Sequence, residues 1–152
     1  MQPPIMPTTL PLYTKKTPKG TSLFSSKAYK KGDTICTFGA ALTLETPNQK
    51  TIQIGDKKHI HLDPDILQYT NHHCDPNVFY NSKTMQVECI KDIEIDDEIT
   101  FFYPSTEWDM SDPFECKCGS EKCIHIIKGA KDLDKSILSQ YRVSAYIRKK
   151  LQ

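Results

Sequence analysis

Three cysteines stand together late in the sequence, in "FECKCGSEKC", as Cys116, Cys118 and Cys123. A C-x-C step in a turn can present two thiolates to one point. Gly119 lets the chain bend back so that Cys123 delivers a third. Three sulfurs at this spacing suit zinc, whose structural sites take four ligands, so one more is owed from elsewhere. The candidates are Cys36, Cys74, Cys89, His125 and the other histidines. Cys36 and Cys89 lie inside apolar runs, where a free cysteine behaves as a small buried hydrophobe. Cys74 lies in "NHHCDPN", residues 71–77, a loop rich in amide, imidazole, thiol and carboxylate groups, and is better placed on position alone. Free thiols, an iron–sulfur centre, or a redox pair of Cys116 and Cys118 are the competing readings.

Strands and turns must bring these groups together. From Ser22 on, short apolar runs are separated by Gly, Pro, Asn and Asp, the pattern of a strand-rich body. "SLFSSKA" leads to the turn "KKGD", and "TICTFG" follows. "TIQI", "GDKK" and "HIHL" read as a hairpin, and "MQVECI" and "EITFFY" as two more strands. His59 and His61 alternate on one strand and share a face, read as solvated. Asp96, Asp97 and Glu98 read as a solvated turn that could attract a basic peptide. "DLDKSILSQYRVSAYIRKKLQ" has Leu133, Ile137, Leu138, Tyr141 and Ala145 at helical spacing. It reads as a C-terminal helix over 130–152, capped by Asp132 or Asp134 and ended by Arg148, Lys149 and Lys150.

Bulk composition narrows the function classes. The 152 residues suit one domain with a real core. Twenty basic and 19 acidic residues leave a net charge of +1, so no strong case for nucleic acid or an anionic membrane arises. No apolar run approaches the roughly 20 residues that cross a bilayer. The first residues lack a basic flank and an apolar signal core, so the expected location is cytoplasmic or nuclear, where thiols stay reduced. Five of the ten prolines fall in the first 18 residues, so residues 1–14 read as an extended or turn-like segment.

Read together, "KGTSLFSSKAYKKGDTI" (19–35), "YTNHHCDPN" (69–77), "IEIDDEITFFY" (93–103) and "FECKCGSEKC" (114–123) resemble, in order, the SET-domain protein lysine methyltransferases with their post-SET cysteine segment. The resemblance covers about residues 15–125. It implies a mainly β fold with minor α: several small sheets, a knot-like crossing, a zinc-binding post-SET segment and the C-terminal helix. The catalytic domain would span 15–112 and the zinc segment 113–129, as a minimal protein without a preceding cysteine-rich segment.

Site residues follow from the same resemblance. Lys19, Gly20, Thr21 and Ser22, continuing into Leu23, match the glycine loop whose backbone cradles S-adenosylmethionine. Asn71 and His72 match positions that hold this cofactor, and Phe114 an aromatic packed near it. Tyr103 matches the catalytic tyrosine, beside the cofactor. Phe101 and Phe102 are implied as walls of the substrate channel. Cys74 is implied as the fourth zinc ligand beside Cys116, Cys118 and Cys123. Phe101 also occupies a size gate, where phenylalanine accompanies higher methylation states. Four departures stand out: Ser22 for a second glycine, His73 for serine, Phe102 for aspartate and Gln68 for arginine.

The implied reaction is methyl transfer from S-adenosylmethionine to the ε-amine of a lysine in a substrate protein such as a histone. A free lysine has a pKa of about 10.4, so exposing its lone pair at pH 7 costs about 4–5 kcal/mol. A narrow apolar channel lowers that pKa by desolvation. Taken without the resemblance, Tyr103 reads as a strand-end core residue, Asn71 as a turn residue, and His72 and His73 as loop residues. Two other functions remain open at this level: a catalytically silent, zinc-stabilised interaction module, and a thiol redox protein.

Overall fold

The apolar runs become twelve short strands in the computed structural model, which describes residues 10–110 and 112–152. In chain order they are β1 (Leu12–Thr17), β2 (Gly20–Ser25), β3 (Thr34–Thr37), β4 (Gly39–Leu44), β5 (Thr51–Gly55), β6 (Lys58–Asp63), β7 (Asn71–His72), β8 (Val78–Asn81), β9 (Gln86–Cys89), β10 (Thr100–Phe101), β11 (Phe114–Glu115) and β12 (Ile126–Ile127). They form five small sheets: β1–β2, β3–β9–β8, β4–β6–β5, β7–β10 and β11–β12. The β5–β6 hairpin turns where "GDKK" placed it, with Gly55 opposite Lys58. Residues 1–9, the first part of the segment read as extended, lie outside the described residues. From Leu12 the chain pairs with β2, so the folded body begins earlier than residue 15.

Leu23, Ile60, Leu67, Val78, Tyr80, Val87, Ile93 and Ile99 form the main core, to which each of the larger sheets contributes one face. Five of these eight, all but Leu23, Leu67 and Tyr80, are β-branched, which fits a pleated, half-buried surface. The pair that positions the site is parallel: Asn71 lies opposite Thr100 and His72 opposite Phe101. The polar loop then stays bound to β10. The His73 N–H donates to the Phe101 carbonyl (3.0 Å), and the Asn77 N–H to that of Thr100 (3.2 Å). Asn77 returns both ends of its amide, to the Glu98 carbonyl (2.8 Å) and the Thr100 N–H (2.9 Å). Side-chain amides complete the ladder that two-residue strands cannot make alone.

Two expectations change. The C-terminal helix is broken into α1 (Lys135–Leu138) and α2 (Ala145–Lys150). The break has a cause: Ser144 is extended, its N–H donates to the Ser105 carbonyl (2.8 Å), and its hydroxyl accepts the Ile147 N–H. Ser144 thus caps a new helix instead of continuing the old one. Asp134 stands at the start of α1 without a side-chain cap bond, while Arg148, Lys149 and Lys150 do end α2. Leu138 and Ile147, with Phe102 and Ala130, make a second small core. His59, read as solvated, is buried, because β6 is the middle strand of its sheet.

The second core meets the rest through a close backbone approach at Gly129. A Cβ there would collide with the Trp108 carbonyl oxygen and lie 2.7 Å from the Met110 nitrogen. Gly129→Ala is therefore expected to destabilise the fold by at least about 2 kcal/mol, since backbone cannot yield as a side chain tip does. Chemical denaturation measures this; an unchanged midpoint contradicts the packing described. No helix among the described residues is long and apolar enough to cross a membrane.

Candidate functional site

The sulfurs of Cys74, Cys116, Cys118 and Cys123 lie within 4.8 Å of one another. The C-x-C step places Cys116 and Cys118, and Gly119, at φ +78°, reverses the chain toward Cys123. Cys74 arrives from the loop after β7. A tetrahedral zinc with Zn–S bonds of about 2.3 Å separates its sulfurs by roughly 3.8 Å, and Cys74 Sγ stands 3.9 Å from Cys116 Sγ. The donor set and spacing fit one zinc. Burial pushes the Cys74 thiol up, and Cys116 up to about 11. For Cys118 burial also acts upward, but hydrogen bonds from the Ser120 and Cys74 segments and neighbouring thiols bring it down to about 7. Such thiols ionise together only when a cation compensates them. His125, a further candidate ligand, is outside the cluster, and Cys36 and Cys89 lie in β3 and β9. All six cysteines are free thiols, so no disulfide supports the redox reading.

His72 joins this cluster to Tyr103. Its Nδ1 accepts the Tyr103 N–H (3.1 Å), and its Nε2 lies 3.3 Å from Cys74 Sγ. Burial pushes the imidazole down to about 3, so the ring is neutral. With Nδ1 accepting, the proton sits on Nε2 and points at the sulfur. The Ile124 N–H approaches the same sulfur at 3.4 Å. Donors of this kind orient a thiolate ligand and moderate its charge.

Tyr103 is not on a strand, as "EITFFY" implied; β10 ends at Phe101, and Tyr103 opens a short 3₁₀ turn, Tyr103–Ser105, with Pro104. Its hydroxyl donates to the Thr70 carbonyl (3.0 Å). Burial pushes the phenol up to about 12, so it is a neutral donor at physiological pH. Phe101 (ring centroids 4.7 Å apart) and Phe114 (6.0 Å) flank it. Thr21, Asn71, Phe101, Tyr103, Glu107 and Phe114 all face one cavity of about 400 Å³.

Phe102 does not belong to this wall. It faces the other way, stacked on Tyr141 (centroids 3.6 Å apart, planes at 1°) and packed on Ala130, Leu138 and Ile147. Successive strand residues point to opposite sides, so only one of Phe101 and Phe102 can reach the cavity. Phe102 borders instead a separate cavity of about 380 Å³, with Cys74 and Tyr141. An apolar ring in place of an aspartate thus serves the second core.

The glycine-loop residues surround a polar notch beside the cavity. Gly20 opens β2 at φ +103° with open space where a Cβ would stand. Lys19 pairs with Glu98 (2.6 Å), whose other oxygen accepts from the Asn71 amide (3.0 Å). The same Asn71 nitrogen donates to Ser22 Oγ (2.8 Å), which also shares a proton with Thr17 Oγ1 (2.9 Å). Ser22 has no positive φ, so the missing second glycine introduces no strain. Thr21 faces the cavity, whereas Leu23 is wholly in the core. Glu98, read as part of a solvated turn, is an organiser of the notch; Asp96 and Asp97 remain exposed. Only the fold distinguishes them, since three consecutive acids carry no mark of which one turns inward.

A family model described as the SET domain matches residues 20–104. The methyltransferase flvH of Aspergillus flavus is 35% identical over 147 residues, which is 95% of this chain and 82% of that protein. The H3 lysine-4 specific histone-lysine N-methyltransferase of Emericella nidulans is 37% identical over 65 residues, 38% of this chain and 5% of that protein. Among solved structures, KRYPTONITE in complex with mCHG DNA and SAH matches with a TM-score of 0.60 and 19% identity, over 76% of this chain and 28% of that one. The chain thus spans most of the A. flavus protein but only a small part of the other two. The likeness to KRYPTONITE is one of fold.

Proposed function

Because this chain belongs to the SET-domain family and is a methyltransferase, we propose that its 400 Å³ cavity is where a methyl group passes from S-adenosylmethionine to the ε-amine of a lysine in a substrate protein. The observation that carries this reading is the neutral Tyr103 phenol, set in the cavity wall between Phe101 and Phe114 and beside the Lys19–Asn71–Glu98 notch. The histone-lysine specificity of the E. nidulans relative and the SAH held by KRYPTONITE support the class of substrate and cofactor.

The residues fit the cofactor on structural grounds. Gly20 leaves open space, the Lys19 ammonium and Asn71 amide supply polar partners for an amino-acid end, and Phe114 keeps an exposed ring as a flat apolar surface. When bound, S-adenosylmethionine supplies a methyl on a sulfonium, open to direct displacement. This chain's own residues do the rest. Phe101 and Tyr103 exclude water from the entering amine, and the Thr70 carbonyl and Tyr103 hydroxyl offer fixed dipoles to orient it. Tyr103 is a donor and positioning group here, not a base, because its proton is held too tightly. Cys74, Cys116, Cys118 and Cys123 would hold a zinc ion, and holding it would fix the segment that carries Phe114.

Phe101 sets the room for methyl groups already added. It packs on Tyr80 (4.9 Å) as well as Tyr103, with no hydroxyl of its own. We expect more than one methyl to be added, and Phe101→Tyr to shift the product toward mono-methyl lysine. Mass spectrometry of product at long reaction times checks this; only mono-methyl product from the unaltered protein contradicts it.

The departures at Ser22 and Phe102 leave the cavity intact, since one hydroxyl joins the notch and one ring packs away from it. They give no support to a silent interaction module. Incubation with labelled S-adenosylmethionine and a cell lysate, followed by mass-spectrometric site identification, tests the proposal. Label on lysine ε-amines is expected; absence of both labelling and cofactor binding overturns it.

A further inference from the structure

The transfer leaves one proton without a destination, since a lysine enters as an ammonium and must be uncharged to react. Glu107 lines the same cavity as Phe101 and Tyr103 and is only 9% exposed. Buried carboxylates are normally paired with a cation. Among the described residues, none of the ion pairs includes Glu107. Its bonds are one-sided. The Gln53 N–H (3.0 Å) and the Thr106 hydroxyl (2.6 Å) both donate to Oε2. No donor among the described residues reaches Oε1.

The group is also held firmly. Its own N–H donates to the Tyr103 carbonyl (3.1 Å), so acid and phenol ride on one turn. Gln53 is fixed in turn, its Oε1 accepting the Trp108 N–H (2.9 Å) and its Nε2 donating to the Tyr146 hydroxyl (3.2 Å). Besides burial, the nearness of Glu107 raises the Tyr103 phenol. A positioned carboxylate on a cavity-lining residue, with one oxygen that no described donor reaches, is the arrangement an ammonium-binding base needs.

We propose that Glu107 is the carboxylate that receives the substrate: its Oε1 binds the entering ε-ammonium and accepts the proton that must leave before methyl transfer. The inference rests on the lysine reading above. The balance is closed. The ammonium gives one proton to the Glu107 carboxylate and becomes a neutral amine. Its lone pair then forms the N–C bond as the C–S bond breaks, and that electron pair stays on sulfur. The product is a methylammonium, and the protonated Glu107 returns its proton to solvent when the product leaves.

Burial pushes the Glu107 carboxyl up to about 7, against the lowering by its Thr106 and Gln53 bonds. Tyr103 on its own turn and Tyr146 on α2 are both pushed up to about 12, and His59, opposite Gln53, is pushed down by burial. Lys50 and Asp112, also on the cavity, are exposed.

Two measurements on the zinc-loaded protein test this. In the first, carbon-13 NMR follows the Glu107 carboxyl while n-butylammonium is added. The expected result is a saturable shift of its resonance and a lower apparent pKa, because a cation favours the ionised form. An unmoved resonance overturns the proposal whether or not methyl transfer occurs. In the second, Glu107→Gln keeps an acceptor for Gln53 and Thr106 but takes no proton. Its kcat should fall about a hundredfold or more, and the rise of rate with pH through about 7 should vanish, with cofactor affinity kept. A variant with the normal rate and pH profile overturns the assignment. A carboxyl that responds to the amine in a protein that transfers no methyl would instead leave the amine site standing and remove the catalytic reading.

Discussion

Tyr103→Phe lowers kcat by about a hundred- to a thousandfold while the fold and zinc content stay unchanged. Removing one pre-aligned donor from a dry site has effects of this size elsewhere. The phenyl ring keeps its contacts with Phe101, His72 and Phe114, so the cavity wall persists. What is lost is the hydroxyl and its bond to the Thr70 carbonyl. That bond alone costs about 1 kcal/mol of stability, too little to unfold the domain. The loss should fall on kcat more than on the affinity for cofactor, because the role proposed for the hydroxyl is to orient the amine at the methyl. Single-turnover rates beside a cofactor titration separate the two. A variant with normal turnover contradicts the role given to the phenol.

Cys118→Ser removes the metal and with it most of the activity. The segment around β11 and β12 has little else to hold it. Each strand is two residues long, and its own core is Cys74, Cys116 and Ile127. A core this small cannot offset the entropy of ordering such a stretch, whereas structural zinc contributes on the order of 10 kcal/mol in small domains. Phe114, on β11, loses its place in the cavity when the segment opens. Elemental analysis should give one zinc per chain for the unaltered protein and a sharp loss in the variant. The loss of zinc should also grow as pH falls, since protons compete for the four sulfurs. Full zinc and full activity in the variant contradict the coupling between metal and site.

Much of this was legible in the residues because the signals were local. Cysteine spacing around Gly119 located three of the four clustered sulfurs, position in the polar loop favoured Cys74 as the fourth, and the resemblance to SET domains implied the same residue. The turn "GDKK" fixed a hairpin, because a turn's chemistry is written in its own few residues. What escaped the sequence was set by distant partners. Phe101 and Phe102 read alike, and only the second core contributed by Leu138 and Ile147 decides which of them turns from the cavity. The C-terminal periodicity looked continuous, but Ser144 bonds across to Ser105 and stops it. In the sequence Glu98 reads, with Asp96 and Asp97, as a solvated turn, and Glu107 draws no reading. Their importance comes from Lys19, Asn71 and Gln53, which lie 27 to 79 residues away in sequence.

The central claim is spatial: the cavity bounded by Tyr103, Phe114 and the Asn71 notch is the cofactor's site. Crystals of the zinc-loaded protein grown with S-adenosylhomocysteine test it most directly. The expected density places the thioether sulfur in that cavity, facing the Tyr103 hydroxyl, with the amino-acid end near Gly20 and Asn71. Density for the cofactor in the opposite cavity beside Tyr141, or a Tyr103 hydroxyl turned away from the sulfur, contradicts it.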